Sequence, residues 1–369
     1  MEFDLQQAVL LHKSLQAHLL QTETLVANLV INLKPNSVLN ITEINRVLAA
    51  IATNNHQVSK ALLLISTKLA ENNHNQTDPA IKSALIAAMD NSNQIRSWMA
   101  AWPQIDYLVR MQVPAKRRKL FHKTTAENDI TISQLSAYDS AFEDLRVLLS
   151  TNSQGADALN HGCFPDISLP NSVFLENVHA AYRLMLAQGH ATQSQFIDVG
   201  CGCGMKVLQA SKFFNHAVGL EYDEGYANDA QKLLAQMYVQ NTLIIHGDGI
   251  TFDDYKDFNL VYFYRPMRDT ELLKNLEDKI TSSVTPGTIL FAPYNQFFYR
   301  HKDLNCAPIG GSLYLAKSTK AQANALRRKA ELTGTFFNKP GNPVPSIWDP
   351  IIKVSYEKGF GLDNSNKMT

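Results

Sequence analysis

From Phe196 to Gln209 the sequence reads FIDVGCGCGMKVLQ, with Asp198, Gly200, Gly202 and Gly204 at alternate positions and Cys201 and Cys203 between the glycines. Three chemistries fit that spacing: a thiolate metal site, a backbone cradle for a ligand, and a plain strand-to-helix turn. Structural zinc takes a full tetrahedral set of ligands, and no further His or Cys stands at usable spacing here, so a Cys-x-Cys pair alone is a poor metal site. Glycine lets a chain turn sharply and approach a ligand with no Cβ in the way, and the helix that follows begins with unpaired N–H groups. The cysteines are therefore read as small residues that fit a glycine loop.

Further polar residues follow at the ends of apolar runs. HAVGLEY ends in Glu221 and Tyr222, TLIIHGDG carries Asp248 and Gly249, and FNLVYFYRP presents Tyr264 and Arg265 before Pro266. In an open parallel sheet, ligands bind outside the carboxyl ends of the strands, and all of these residues fall at such ends. A carboxylate at Glu221 can accept both hydroxyls of a ribose, and one at Asp248 can accept from an adenine amino group. A nicotinamide-dependent oxidoreductase shares the glycine turn and the acid after the second strand, but it does not predict Asp248.

These residues need a sheet to hold them. Apolar runs at 196–199, 217–221, 242–246, 259–264 and 287–292 alternate with helical stretches, one of them from Ser172 through Leu186, and this pattern predicts a parallel sheet wrapped by helices. The region before it reads as helices: 2–33, stopped by Pro35; a second opened by Asn40 and Glu43 as a capping box; a third opened by Asp78-Pro79; and a last one from Ser133. With short connectors these predict an antiparallel bundle over 1–150, the stretch 151–160 as linker, and a second domain over 151–369.

The region 196–292 resembles the class I S-adenosylmethionine-dependent methyltransferases. DVGCGCG matches the family's first motif, Glu221 its ribose-binding acid and Asp248 its adenine-side acid; FNLVYFYRPM stands where the fourth motif stands, and VTPGTILFAP is similar to the strand after the family's proline-glycine turn. The resemblance implies S-adenosylmethionine as cofactor, held by Asp198, Gly200, Cys201, Gly202, Gly204, Glu221, Tyr222, Asp248 and Gly249, with Tyr264 and Arg265 as catalytic residues on the acceptor side. It also implies a Rossmann-like α/β sheet of seven strands, helices on both faces and the last strand inserted antiparallel; SLYLAKS (312–318) and IIKVSYE (351–357) are the expected final strands. The fourth motif lacks the Asn/Asp-Pro-Pro-aromatic sequence of amino-directed nucleic-acid methyltransferases, so a protein side chain or small molecule is favoured over DNA as acceptor. A cofactor-binding interaction protein without turnover, with partners on the N-terminal helices, is the alternative from another class.

Composition agrees with a globular chain. Of 369 residues 45% are hydrophobic, and 34 basic residues balance 34 acidic ones, so affinity for phosphates in general is not the chain's main property. Free thiols, no basic leader and no long apolar run point to the cytoplasm, without a membrane. The basic runs 116–119, with His122 and Lys123 nearby, and 327–329 are read as solvated faces, and Tyr262, Tyr264, Tyr294 and Tyr299 as aromatics near the strand ends.

Overall fold

The computed structural model describes residues 4–34, 39–74, 79–90, 92–113, 116–121, 129–165, 167–303, 306–337 and 345–362. In chain order, α1 (Leu5–Leu33), α2 (Ile41–His74), α3 (Pro79–Met89), α4 (Ser92–Arg110), α5 (Asp129–Leu149), α6 (Ala156–Asn160) and α7 (Asn171–Gln188) precede the first strand. They are followed by β1 (Gln195–Val199), α8 (Met205–Ala210), β2 (His216–Glu221), α9 (Glu224–Gln236), β3 (Thr242–His246), β4 (Leu260–Phe263) and α10 (Thr270–Ser283). The chain closes with β5 (Ile289–Phe291), α11 (Asn295–His301), β6 (Ala307–Gly310), β7 (Leu313–Leu315), α12 (Lys320–Ala330) and α13 (Asp349–Tyr356). No described helix is long and apolar enough to cross a membrane. Pro35, Asp78, His122 and Lys123 lie outside the described residues.

The chain forms two compact units, divided otherwise than at the expected 150/151 boundary: 1–116 with 339–369, and 117–338. The first is helical. Asp4 caps α1 by accepting from the Gln7 N–H at 2.8 Å, and Asn40 caps α2 by accepting from Glu43 N–H at 3.1 Å. Along α2, Ile44, Val47, Leu48, Ile51, Val58, Leu62 and Ile65 are buried at helical spacing, which is why this run forms a helix with one face in the core. The segment 351–357, expected as a strand, is part of α13 in this unit. Its β-branched residues suggest a strand, but Ile351, Val354 and Ser355 are the buried ones, three and four residues apart, and Pro350 sits in the first turn. The Trp348 indole donates to the Trp98 carbonyl at 3.1 Å and Gln112 donates to the Ser355 hydroxyl at 2.9 Å, tying the segment down.

The second unit carries a seven-stranded sheet in the order β3-β2-β1-β4-β5-β7-β6. Its first five strands pair in parallel, and β7 runs antiparallel to both β5 and β6. Period-two alternation supplies a core on each face. Phe196, Leu260, Tyr262 and Phe291 pack with Phe174, Val178 and Met185 of α7, while Ile197, Val261, Phe263 and Leu290 pack with Leu273, Leu276 and Ile280 of α10. Each fully buried side chain of this size stabilises the fold by about 1.5–3 kcal/mol. β7 lies within the expected 312–318, whereas β6 takes the place expected for 351–357. α5, expected in the bundle, belongs here: Asp139 accepts from the Ser172 N–H at 2.7 Å, and Asn171 donates to the Tyr138 hydroxyl at 2.7 Å. The expected linker is bound as well, since Asp229 of α9 accepts from the Thr151 and Asn152 N–H groups at 2.8 and 2.9 Å, and α6 follows.

Candidate functional site

The sheet order reverses between β1 and β4, which flank each other while their connections run to opposite sides, so a crevice opens at their carboxyl ends. The glycine loop occupies that point. Gly200, Gly202 and Gly204 have φ of +80°, +53° and +79°. The N–H groups of Gly200 and Cys201 both donate to the Leu220 carbonyl, at 2.8 and 3.2 Å, fixing the loop to β2. A Cβ at Gly200 would stand 2.7 Å from the Pro266 Cβ, and one at Gly204 would stand 2.9 Å from the Ala230 Cβ. Left-handed backbone and close approach together require glycine at both positions. Cys201 Sγ fills the space that a Cβ on Gly219 would take, and Cys203 is buried with Phe142, Met205 and Leu233, so both thiols act as small apolar side chains.

At the end of β2 the Glu221 carboxylate is buried. It accepts from the Gly202 N–H at 2.7 Å and from the Asp223 N–H at 2.9 Å, so the acid grips the glycine loop and the start of the next helix together. Asp223 in turn caps α9 through the Tyr226 N–H at 3.0 Å and accepts from the Gly155 N–H at 2.6 Å. Asp248 accepts from the Ile250 N–H at 2.9 Å, with His161 Nε2 at 3.6 Å. The His161 ring stacks on Tyr222 with centroids 4.1 Å apart, and its Nε2 is buried without a hydrogen-bond partner. His161 was not expected at the site; it stands one residue past 151–160, the stretch read as linker. Glu221, Tyr222 and Gly249 line one pocket with Gly200, Gly202, Tyr264 and Arg265. Cys163 lines it too, and burial, followed by the charges of Glu221, Asp248 and Asp223, pushes its thiol up to about 12.

Asp198, also buried, lines an adjoining pocket with Arg146, Lys206 and Tyr264. The Lys206 amine donates to Asn171 Oδ1 at 2.9 Å and lies over the Phe142 and Phe174 rings at 4.7 and 4.9 Å. Burial lowers its pKa to about 8, with Asp198, Asp139 and Glu143 acting in the opposite direction. Arg146 is held by Glu143, which accepts from its Nε at 3.0 Å. The sequence signal for Lys206 is a lone cation in the otherwise apolar run after the glycines.

Opposite the loop, β4 runs out into Tyr264 and Arg265. Arg265 has φ of +48°, a left-handed backbone in a residue that precedes proline. Extended backbone is the ordinary state there, so this conformation costs about 1–3 kcal/mol. The turn is held by pairing with an upstream segment: the Phe164 N–H donates to the Pro266 carbonyl at 2.9 Å, Cys163 bridges Met267, and the Arg268 N–H donates to the Gly162 carbonyl at 2.7 Å. Gln154 Nε2 donates to the Phe164 carbonyl at 3.0 Å and braces that segment. The Arg265 guanidinium consequently lies over the Phe164 ring at 5.3 Å.

Of the aromatics expected near the strand ends, Tyr264 is half-buried and lines both pockets, and Tyr262 is a core residue that also reaches the second. Tyr299 is exposed, and Tyr294 is buried where its hydroxyl donates to Glu277 at 2.9 Å. Glu277 also accepts from Arg300 Nε at 2.7 Å and stands 2.6 Å from His301 Nε2, which makes this a supporting network behind the sheet. The two basic runs meet away from the pocket, where Arg117 and Arg327 both pair with the buried Glu331.

No family model matches the chain, and no curated protein matches it. Among solved structures it is similar to an RNA methyltransferase from Salinibacter ruber in complex with S-adenosyl-L-homocysteine, at 19% identity over 34% of this chain and 76% of that one, with a TM-score of 0.28. PKMT2 from Rickettsia typhi in complex with AdoHcy matches at 15% identity over 31% of this chain and 26% of that one, with a TM-score of 0.27. An rRNA methylase from Streptococcus thermophilus matches at 16% identity over 34% of this chain and 71% of that one, also with a TM-score of 0.27. Such likenesses carry no inference about substrate, and the chain spans about a quarter of the Rickettsia protein. The fold rests on the strand order itself: with β7 antiparallel between β5 and β6 and a glycine loop after β1, the sheet-bearing unit has the class I methyltransferase fold.

Proposed function

We propose that the sheet-bearing unit is an S-adenosylmethionine-dependent methyltransferase. The observation that carries this reading is the buried Glu221 carboxylate, set at the carboxyl end of β2, bonded to Gly202 of the loop and facing the pocket. A carboxylate has about four acceptor sites, so the two backbone N–H groups that Glu221 already accepts from are compatible with donation from a ribose diol as well. The residues present fit the cofactor. Glu221 would hold the ribose and Tyr222 would offer an aromatic face, while Asp248, which lines the neighbouring pocket with Tyr222, would accept from the adenine amino group. Asp198 would hold the ammonium of the amino-acid tail, and Gly200 and Gly202 would let the backbone approach. Bound there, S-adenosylmethionine supplies an electrophilic methyl group on a sulfonium. The chain's own task is to orient an acceptor and exclude water, and Tyr264 and Arg265 do this from the end of β4. Among acceptors, a protein side chain or small molecule is favoured over DNA, because Tyr264-Arg265-Pro266-Met267 offers no Asn/Asp-Pro-Pro set.

Calorimetric titration of the full chain with S-adenosylmethionine and, separately, with NAD tests the reading. Saturable binding of S-adenosylmethionine and none of NAD is the expected result. Preferential binding of NAD would replace the methyltransferase reading with the oxidoreductase one.

A further inference from the structure

The acceptor end of the pocket is apolar apart from one cation. Phe164, Pro165, Ile167, Tyr264 and Met267 line it, and among the described lining residues at this end Arg265 is the charged one. Arg265 is placed there by construction. Its backbone is left-handed at φ +48°, the turn is clamped by the 162–164 to 266–268 pairing, and the guanidinium is laid on Phe164 at 5.3 Å. A strained, braced backbone that aims one cation along a pocket wall is the pattern of a binding residue. Surface arginines on aromatic rings are common, but they do not need such a turn.

From this arrangement we infer that the acceptor is a carboxylate carried on an apolar body, recognised by Arg265. A planar fork of donors matches a carboxylate in two parallel hydrogen bonds. Each carboxylate oxygen has two lone pairs, so an oxygen held by the guanidinium still has one to attack the methyl carbon; as the O–C bond formed, the S–C bond would break with its electron pair going to sulfur, leaving a methyl ester and neutral S-adenosylhomocysteine. The remaining chemistry of the wall agrees. Glu221 and Asp198 belong to the cofactor half in the reading above, on which this inference rests. An amine or alcohol acceptor has to lose a proton, whereas a carboxylate is already a free nucleophile at neutral pH. The apolar residues around Arg265 favour a hydrocarbon or aromatic body.

The test uses the full chain saturated with S-adenosylhomocysteine and three probes of one shape: 4-phenylbutyrate, 4-phenylbutyramide and 4-phenylbutylamine, compared by ligand-detected NMR titration. The carboxylate should bind about 10-fold or more tighter than the amide, and the amine most weakly, as expected for charge-assisted hydrogen bonds. Arg265→Gln should bring carboxylate and amide to within about twofold of each other while S-adenosylhomocysteine affinity changes less than about threefold; Arg265→Lys should keep part of the preference. Equal binding of carboxylate and amide to the wild-type protein, or a preference that survives Arg265→Gln, overturns the inference while leaving the cofactor reading intact. If S-adenosylhomocysteine does not bind the wild-type chain, the cofactor reading falls and this inference falls with it.

Discussion

Lys206 makes the sheet-bearing unit less stable at neutral pH than at alkaline pH, and the size of that effect can be worked out. Its amine is buried between two rings and Asn171, and burial lowers its pKa from 10.5 to about 8. The unfolded chain keeps the ordinary value, so between about pH 8 and about pH 10.5 it binds the proton more than the native state does. Stability therefore rises with pH across that window and falls again as pH drops through the native pKa. Integrated over the window the shift is worth about 3 kcal/mol, of which about 2 kcal/mol is recovered between about pH 7 and about pH 9.5. Lys206→Met removes this dependence. At neutral pH the substitution relieves the buried charge but also loses the Asn171 bond and the ring contacts, so its effect at a single pH is a small difference of opposing terms. The slope is the cleaner quantity. Trp98, Trp102 and Trp348 all lie in the helical unit, so indole fluorescence reports on the other unit. Urea unfolding should be followed instead by pulsed hydrogen exchange of peptides from β1 and β4. Lys358, buried in the helical unit and also lowered to about 8, is common to both proteins and cancels. Wild type should gain about 2 kcal/mol over Lys206→Met from the lower to the higher pH. Parallel stability curves for the two proteins would refute the placement of a charged amine in that core.

Three other perturbations separate the parts of the site. Glu221→Ala should lower S-adenosylhomocysteine affinity about 100-fold by calorimetry, since two charge-assisted bonds are worth about 1.5–3 kcal/mol each; it should also lower stability by about 1–3 kcal/mol, because the Gly202 and Asp223 N–H groups lose their acceptor. Gly200→Ala sets a Cβ 2.7 Å from Pro266 on a backbone at φ +80°, so calorimetry should find cofactor binding abolished or reduced about 100-fold even in folded protein. Glu277→Ala leaves Arg300, His301 and Tyr294 without their shared carboxylate, and chemical denaturation should show a loss of about 3–5 kcal/mol with little change in the affinity of any cofactor-bound population.

How far the molecule could be read from its sequence depended on how local each feature is. Asp198, the three glycines, Glu221 and Asp248 each follow directly on an apolar run, so strand, turn and ligand-facing residue are consecutive in the chain, and the parallel order of β1 to β4 then brings them to one edge. β6 left no such signal: Ala307–Gly310 is a four-residue edge strand with Pro308 and a terminal glycine, and its alternation of burial falls on too few residues to register in the sequence. α13 gave a misleading one, because Ile351, Ile352 and Val354 have strand propensity, and only packing against Trp348 and the long helices selects the helical spacing. α5 was legible as a helix, but periodicity does not say which surface an apolar face meets; Asp139 and Tyr138 seat it against α7, more than thirty residues on. The same distinction runs through the site. Lys206 becomes a buried amine only because Phe142 and Phe174 close over it from two different helices. Arg265 is aimed only because residues 162–164 pair with 266–268 across about a hundred positions of chain. The half of the pocket read as holding the cofactor is assembled from consecutive units and could be found by spacing. The half proposed to receive the acceptor is made by contacts between distant segments, and it became visible only when the fold brought a strained arginine and a phenyl ring to the same wall.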